Sequence, residues 1–105
     1  MFSPEVENDI SDLNVAYLLL AQRLLREDRA AGMLQLGIDR RQADFIAGLA
    51  VPEIRTMSSA NGLLCGFRVG ELVRTVLHSG HDEAVQRAHL FIVMAAGQAQ
   101  PALSA

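Results

Sequence analysis

An all-α protein is predicted, with a long N-terminal helix followed by about four shorter ones, and three observations carry that reading. Residues 3–31 hold a capped, charge-polarised helical pattern. Apolar residues within it recur at the alternating spacing of four and three that marks one helix face. Start signals, an oxygen-bearing cap or a proline at a first-turn position, stand at Ser3, Asp39 and Pro52, and Asp82 and Glu83 load the first turn of a last helix.

The first helix starts at Ser3, a capping residue, with Pro4 in the first helical position. Glu5, Glu7, Asp9 and Asp12 load its beginning, and Arg23, Arg26 and Arg29 load its end. That polarity complements the helix dipole. Gly32 or Gly37 is expected to terminate it. Running over residues 3–31 it would measure about 43 Å at 1.5 Å per residue. A compact domain of this size is only about 35 Å across. Val6, Ile10, Leu13, Tyr17, Leu20 and Leu24 follow heptad spacing, the pattern of a helix lying along a partner. Leu18 and Leu19 fall on the opposite side, so the helix needs cover from more than one direction. A helix buried in its own chain's core would show a similar stripe. The chain has too few other residues to cover so long a rod, which favours an intermolecular seam formed by Ile10, Leu13, Tyr17, Leu20 and Leu24.

A second helix is expected to begin at Asp39, where Gln42 completes a capping-box layout, and to run to about Leu49. Pro52 opens a third that ends near Ala60, followed by a turn at Asn61 and Gly62. Residues 63–69 are too apolar for a surface loop and suggest a short strand or an extended segment buried at an interface. A fourth helix spans 71–78, with Gly80 just beyond it. The fifth spans 82–96. The expected division is a dimerisation domain over 1–69, a helical pair over 70–97 and a flexible tail over 98–105.

Composition narrows the function classes. The chain has 105 residues, half of them hydrophobic, and a formal charge of −3. All nine basic residues are arginines. A protein that neutralised nucleic-acid phosphates alone would normally be basic, so a DNA role here requires a local basic face or a basic partner. With one cysteine, Cys65, no disulfide can close within the chain. Together with an N-terminus that lacks a signal-peptide pattern, this points to the cytoplasm. The longest apolar runs, 15–21 and 90–96, are far shorter than a membrane span.

Catalytic chemistry finds no foothold. His78, His81 and His89 lack the paired spacing of a metal site, so no metal is expected. Cys65 has no acid–base partner nearby in sequence, and reads equally as a buried thiol or as one half of an interchain disulfide. Gly62, Gly66 and Gly70 do not form a phosphate loop, and no cofactor is expected. Residues 40–59 have some of the small and apolar positions of a helix-turn-helix, with Gly48 in the turn. Against DNA reading there, Asp44 occupies a position usually small and Glu53 accompanies the lone Arg55, so a hairpin that merely packs is the preferred reading.

Four stretches taken together resemble the FlhD family of flagellar transcriptional activator subunits: DLNVAYLLLAQRL at 12–24, MLQLGI at 33–38, LAVP at 49–52 and NGLLCGFR at 61–68. The likeness covers about two-thirds of the chain. It implies an all-helical intertwined homodimer that joins FlhC in a heterohexamer of four FlhD and two FlhC subunits. That complex would bind promoters of flagellar operons and recruit RNA polymerase. The resemblance also implies an interchain disulfide at Cys65, and a DNA-contacting helix-turn-helix over 71–96, where Arg74, His78, His81 and Arg87 are the candidate contacts. The C-terminal third matches the family poorly, and each of those four also reads as a solvated helix residue. The alternative is a helical adaptor that scaffolds other proteins without touching DNA. An enzyme ranks below both, because no pair of titratable groups can be named for it.

Overall fold

In the computed structural model, residues 1–60, 62–68, 71–80 and 82–98 are described. They form six helices and no strand: α1 (Pro4–Glu27), α2 (Arg29–Leu36), α3 (Arg40–Ala47), α4 (Val51–Ser58), α5 (Glu71–Leu77) and α6 (Glu83–Gln98). The chain divides into two units, Met1–Gly66 and Phe67–Ala105.

In the first unit α1 is the organising element, and α2, α3 and α4 all pack on it. Its start is as expected: the Ser3 side chain accepts from the Val6 N–H, and Pro4 opens the first turn. Its end is not. The helix stops at Glu27, before either glycine, because Asp28 adopts an extended conformation with φ −158° and ψ 104°. Asp28 closes α1 by donating its N–H to Leu24 O and opens α2 by accepting from the Ala31 N–H at 3.0 Å. One residue therefore serves as stop and start. The carboxylate supplies α2 with the N-terminal acceptor that a continuing helix would not need. At 24 residues α1 is about 36 Å long. It thus matches the expected width of the domain rather than exceeding it, and length alone no longer argues for a partner. Gly37 does end a helix, but that helix is α2, at φ 68° in the left-handed region glycine favours.

Gly32 is required where α2 folds back. A Cβ there would lie 3.0 Å from the Leu24 carbonyl carbon and oxygen and 3.1 Å from Leu25 N. The absent side chain lets the backbones of α1 and α2 touch.

The core comprises two clusters. Ala21, Leu25, Leu36 and Ala43 are buried together, with Tyr17, Leu24, Met33, Ile38 and Ile46 around them. Leu18, Leu49 and Ile54 form the other, flanked by Val15, Tyr17 and Met57. Each buried leucine or isoleucine contributes about 1.5–3 kcal/mol of transfer free energy. Ala21 and Ala43 are fully enclosed, and their small size allows close helix approach.

The α3–α4 hairpin follows its sequence signals. Asp39 and Gln42 form the full capping box, with bonds of 2.8 and 3.0 Å. Glu53 reaches back to the Ala50 N–H at 2.8 Å. Asp44 points outward and pairs with Arg29. It occupies no packed interior position, which accords with a hairpin that packs on α1.

In the second unit α5 packs against α6. Gly80 has φ 80°, which turns the chain between them. Asp82 caps α6 by accepting from the Val85 N–H at 2.9 Å. The helix continues through Gln98, so the expected tail starting at 98 is one residue too early; the rest of that tail, 99–105, lies outside the described residues, as do Asn61 of the expected turn and the expected domain boundary at 69–70.

Candidate assembly interface

The two sides of α1 do different work. Asn14, Leu18, Ala21 and Leu25 are its buried residues, spaced four, three and four. Leu18, placed by the heptad reading on the far side from the seam, is thus the centre of the intramolecular face. The proposed seam lies one residue earlier in register, about 100° round the helix. Its members divide. Tyr17 and Leu24 are partly buried against the chain's own core, and Ile10 is half-buried. Leu13 and Leu20 remain open, at 48% and 53% exposure, and Val6 at 40%. Val6, Leu13 and Leu20 recur every seven residues, so they lie along one line of the helix surface. Leu19 is exposed as well, on another side. α1 therefore carries an apolar line that its own chain leaves uncovered.

Two amides inside α1 hold the rest of the unit, and pattern reading overlooked both. Asn14 is fully buried. Its Nδ2 donates to Ser58 O at 3.0 Å and to Gly62 O at 2.7 Å, while its Oδ1 accepts from the Leu64 N–H at 2.9 Å. Two turns on, Gln22 Nε2 donates to Ile46 O and Leu49 O, each at 3.0 Å. These bonds satisfy carbonyls at and just beyond the C-termini of α4 and α3, where helices have unmet acceptors. The second unit repeats the device: Gln86 Nε2 donates to Val76 O at 3.4 Å and Leu77 O at 3.2 Å, at the end of α5. The signal available in sequence was a polar residue inside an otherwise apolar helical stretch, which is informative when buried.

Residues 62–68 form neither strand nor helix. Leu63 is exposed, Leu64 is 37% exposed, and Cys65 is a half-buried free thiol. The short strand offered as one reading of this segment does not form among the described residues. Phe67 is also exposed, as are Leu72, Leu77, Phe91 and Ile92 of the second unit, where Val73 is buried. An open groove of about 350 Å³ is lined by Phe45, Leu49, Pro52, Glu53, Thr56 and Met57.

Of the candidate DNA contacts, Arg74, His78 and Arg87 are exposed. Arg87 pairs with Glu83 one turn earlier at 2.6 Å. Arg74 and His78 lie on α5 and just after it, both solvent-facing. His81 lies outside the described residues. Among the described residues, no group of three or more His, Cys, Asp or Glu side chains could hold a metal ion. No helix among them is long and apolar enough to cross a membrane.

Comparison with known proteins adds a family. A family model described as flagellar transcriptional activator (FlhD) matches residues 1–100. The chain is 41% identical over 93 residues to a flagellar transcriptional regulator FlhD of Burkholderia pseudomallei, covering 87% of this chain and 88% of that one. Similar regulators from Cupriavidus pinatubonensis and Nitrosomonas eutropha are each 37% identical. The first alignment covers 90% of this chain and 92% of the other, and the second covers 95% and 97%.

Proposed function

Since the chain belongs to the FlhD family of flagellar transcriptional activators, we propose that it acts as the dimerising subunit of a promoter-binding complex with FlhC. The family is one of transcriptional regulators, which is not an enzyme class. The observation that carries the assembly part is the uncovered line of Val6, Leu13 and Leu20 on α1. Apolar side chains in such a row lose water contact only when a second chain covers them. In this reading a second copy lies along α1, and two such dimers join two FlhC subunits. The complex then engages flagellar promoters in the cytoplasm and recruits RNA polymerase. Cys65 would crosslink the dimer as an interchain disulfide, adding to contacts that packing already provides.

Direct DNA contact through Arg74, His78, His81 and Arg87 is the part with least support. The formal charge is −3, and Arg87 is already engaged by Glu83. Those two facts favour a second reading, in which the chain scaffolds FlhC and leaves phosphate contact to it. A mobility-shift titration separates them. On the first reading FlhC with this chain binds promoter DNA more tightly and with a steeper salt dependence than FlhC alone. Equal affinity and equal salt slope would establish the scaffold reading instead. Co-purification with FlhC followed by mass measurement tests the four-to-two stoichiometry.

A further inference from the structure

The fully buried side chain of Asn14 makes three of the four hydrogen bonds an asparagine can make, all to backbone groups 44 to 50 residues away in sequence. One anchors it to Ser58 O, at the end of α4. The other two, to Gly62 O and from the Leu64 N–H, hold the irregular segment 62–66. Among the described residues that segment makes no other hydrogen bond. Packing does little to hold it either. Leu63 is exposed, Cys65 is half-buried, and a Cβ built on Gly62 or Gly66 would meet nothing within 4 Å. Segments with few buried apolar contacts open locally, at lower free energy than the whole fold. Here one side chain of α1 stands against that opening.

We propose that Asn14 is a latch: residues 62–66 open and close as one local unit, and the Asn14 amide sets how often Cys65, the residue after the bonded Leu64 N–H, is available to react. The proposal concerns the single protomer and does not rest on the dimer reading. A thiol reacts only when a reagent can reach it, and Cys65 is half-buried while the latch is closed. Opening has a definite cost, because it strips a buried amide of its acceptor bond and of one donor bond until water enters. Two bonds are nevertheless few enough to release while α1 to α4 stay packed, since the bond to Ser58 O and both core clusters remain in place. Gln22 provides the internal control. It makes the same kind of amide-to-carbonyl bonds from the same helix, but to Ile46 O and Leu49 O, which leaves residues 62–66 untouched.

The test uses the full, reduced chain and compares it with Asn14→Ala and Gln22→Ala. Amide hydrogen exchange follows the Leu64 N–H against the Leu18 N–H, which lies inside α1 and reports opening of the whole unit. Iodoacetamide alkylation follows Cys65 over a range of protein concentrations. In the wild type the Leu64 N–H is expected to exchange more slowly than in an unstructured peptide but faster than the Leu18 N–H. Asn14→Ala should speed both Leu64 exchange and Cys65 alkylation by about tenfold, the scale on which a lost buried hydrogen bond acts. Gln22→Ala should leave both near wild type. If Asn14→Ala does not fold, wild-type Leu64 exchange decides: an intermediate rate supports the latch, whereas a rate equal to that of the peptide or of Leu18 overturns it. Equal effects of the two substitutions on Leu64 and Cys65 would overturn the latch as well. Faster Leu64 exchange with unchanged alkylation would overturn its control of Cys65, as would an alkylation rate that follows protein concentration and not the residue at position 14.

Discussion

Ser58 and Asn14 are neighbours with opposite polar outcomes. Asn14 is buried and bonded three times, whereas the Ser58 hydroxyl is buried with no partner. A buried unsatisfied hydroxyl is destabilising, so Ser58→Ala is expected to leave stability unchanged or raise it by up to about 1 kcal/mol, read by chemical denaturation. Gly32→Ala sets two effects against each other. Alanine favours a helix interior by about 1 kcal/mol over glycine. Its Cβ would sit 3.0 Å from Leu24 backbone atoms that have no rotamer to yield, so α2 must move. Overpacking of this kind costs about 1–3 kcal/mol, and a net loss of stability is expected in the same measurement. Neither residue was legible as special in the sequence. Ser58 resembles any helix-terminal serine, and Gly32 reads as a helix stop until the fold shows that it is a point of contact.

At the scale of elements, the helix start signals at Ser3 and Asp39 were correctly readable because they are local: a side-chain oxygen meets an N–H three residues on; Asp82, expected inside the first turn of the last helix, caps α6 instead. The break at Asp28 was harder. Residues 22–36 hold good helix formers, and nothing in periodicity distinguishes an aspartate in a helix from one that ends it. The structure resolves the matter through geometry, because α2 must turn back to bury Leu36 beside Ala21 and Leu25. Asp28→Ala removes the side-chain acceptor for Ala31 and should destabilise the unit by about 0.5–2 kcal/mol, as measured by thermal unfolding. Local helix signals also identified α5 and α6 within a residue or two, although the sequence did not show how much of their apolar surface stays open.

For the whole molecule, the decisive distinction lies between the face of α1 that its own chain buries and the line it leaves open. Heptad spacing found the open line but also enlisted Tyr17 and Leu24, which serve the protomer's core. Periodicity describes which residues share a side and is silent on which chain covers it. Because Leu20 is exposed in the protomer, Leu20→Asp should leave helicity intact while placing an uncompensated charge in the proposed seam. Sedimentation should then show a monomer at concentrations where the parent chain dimerises. Cys65→Ser should retain the dimer, since apolar contact along α1 outweighs one crosslink. Its dissociation at micromolar concentration would show the thiol to be essential. The family was legible from the four quoted motifs, whereas the amide clamps were not, because each joins groups distant in sequence.

That distance has a consequence for synthesis. α1 leaves the ribosome first, and the groups that Asn14 must satisfy follow 44 to 50 residues later. At the usual 5–20 residues per second, the nascent helix waits roughly 2–10 s before its polar centre can be matched and Leu18 covered by Leu49 and Ile54. During that interval the newborn chain displays both faces of its greasiest segment, the one destined for its own interior and the one left open afterwards.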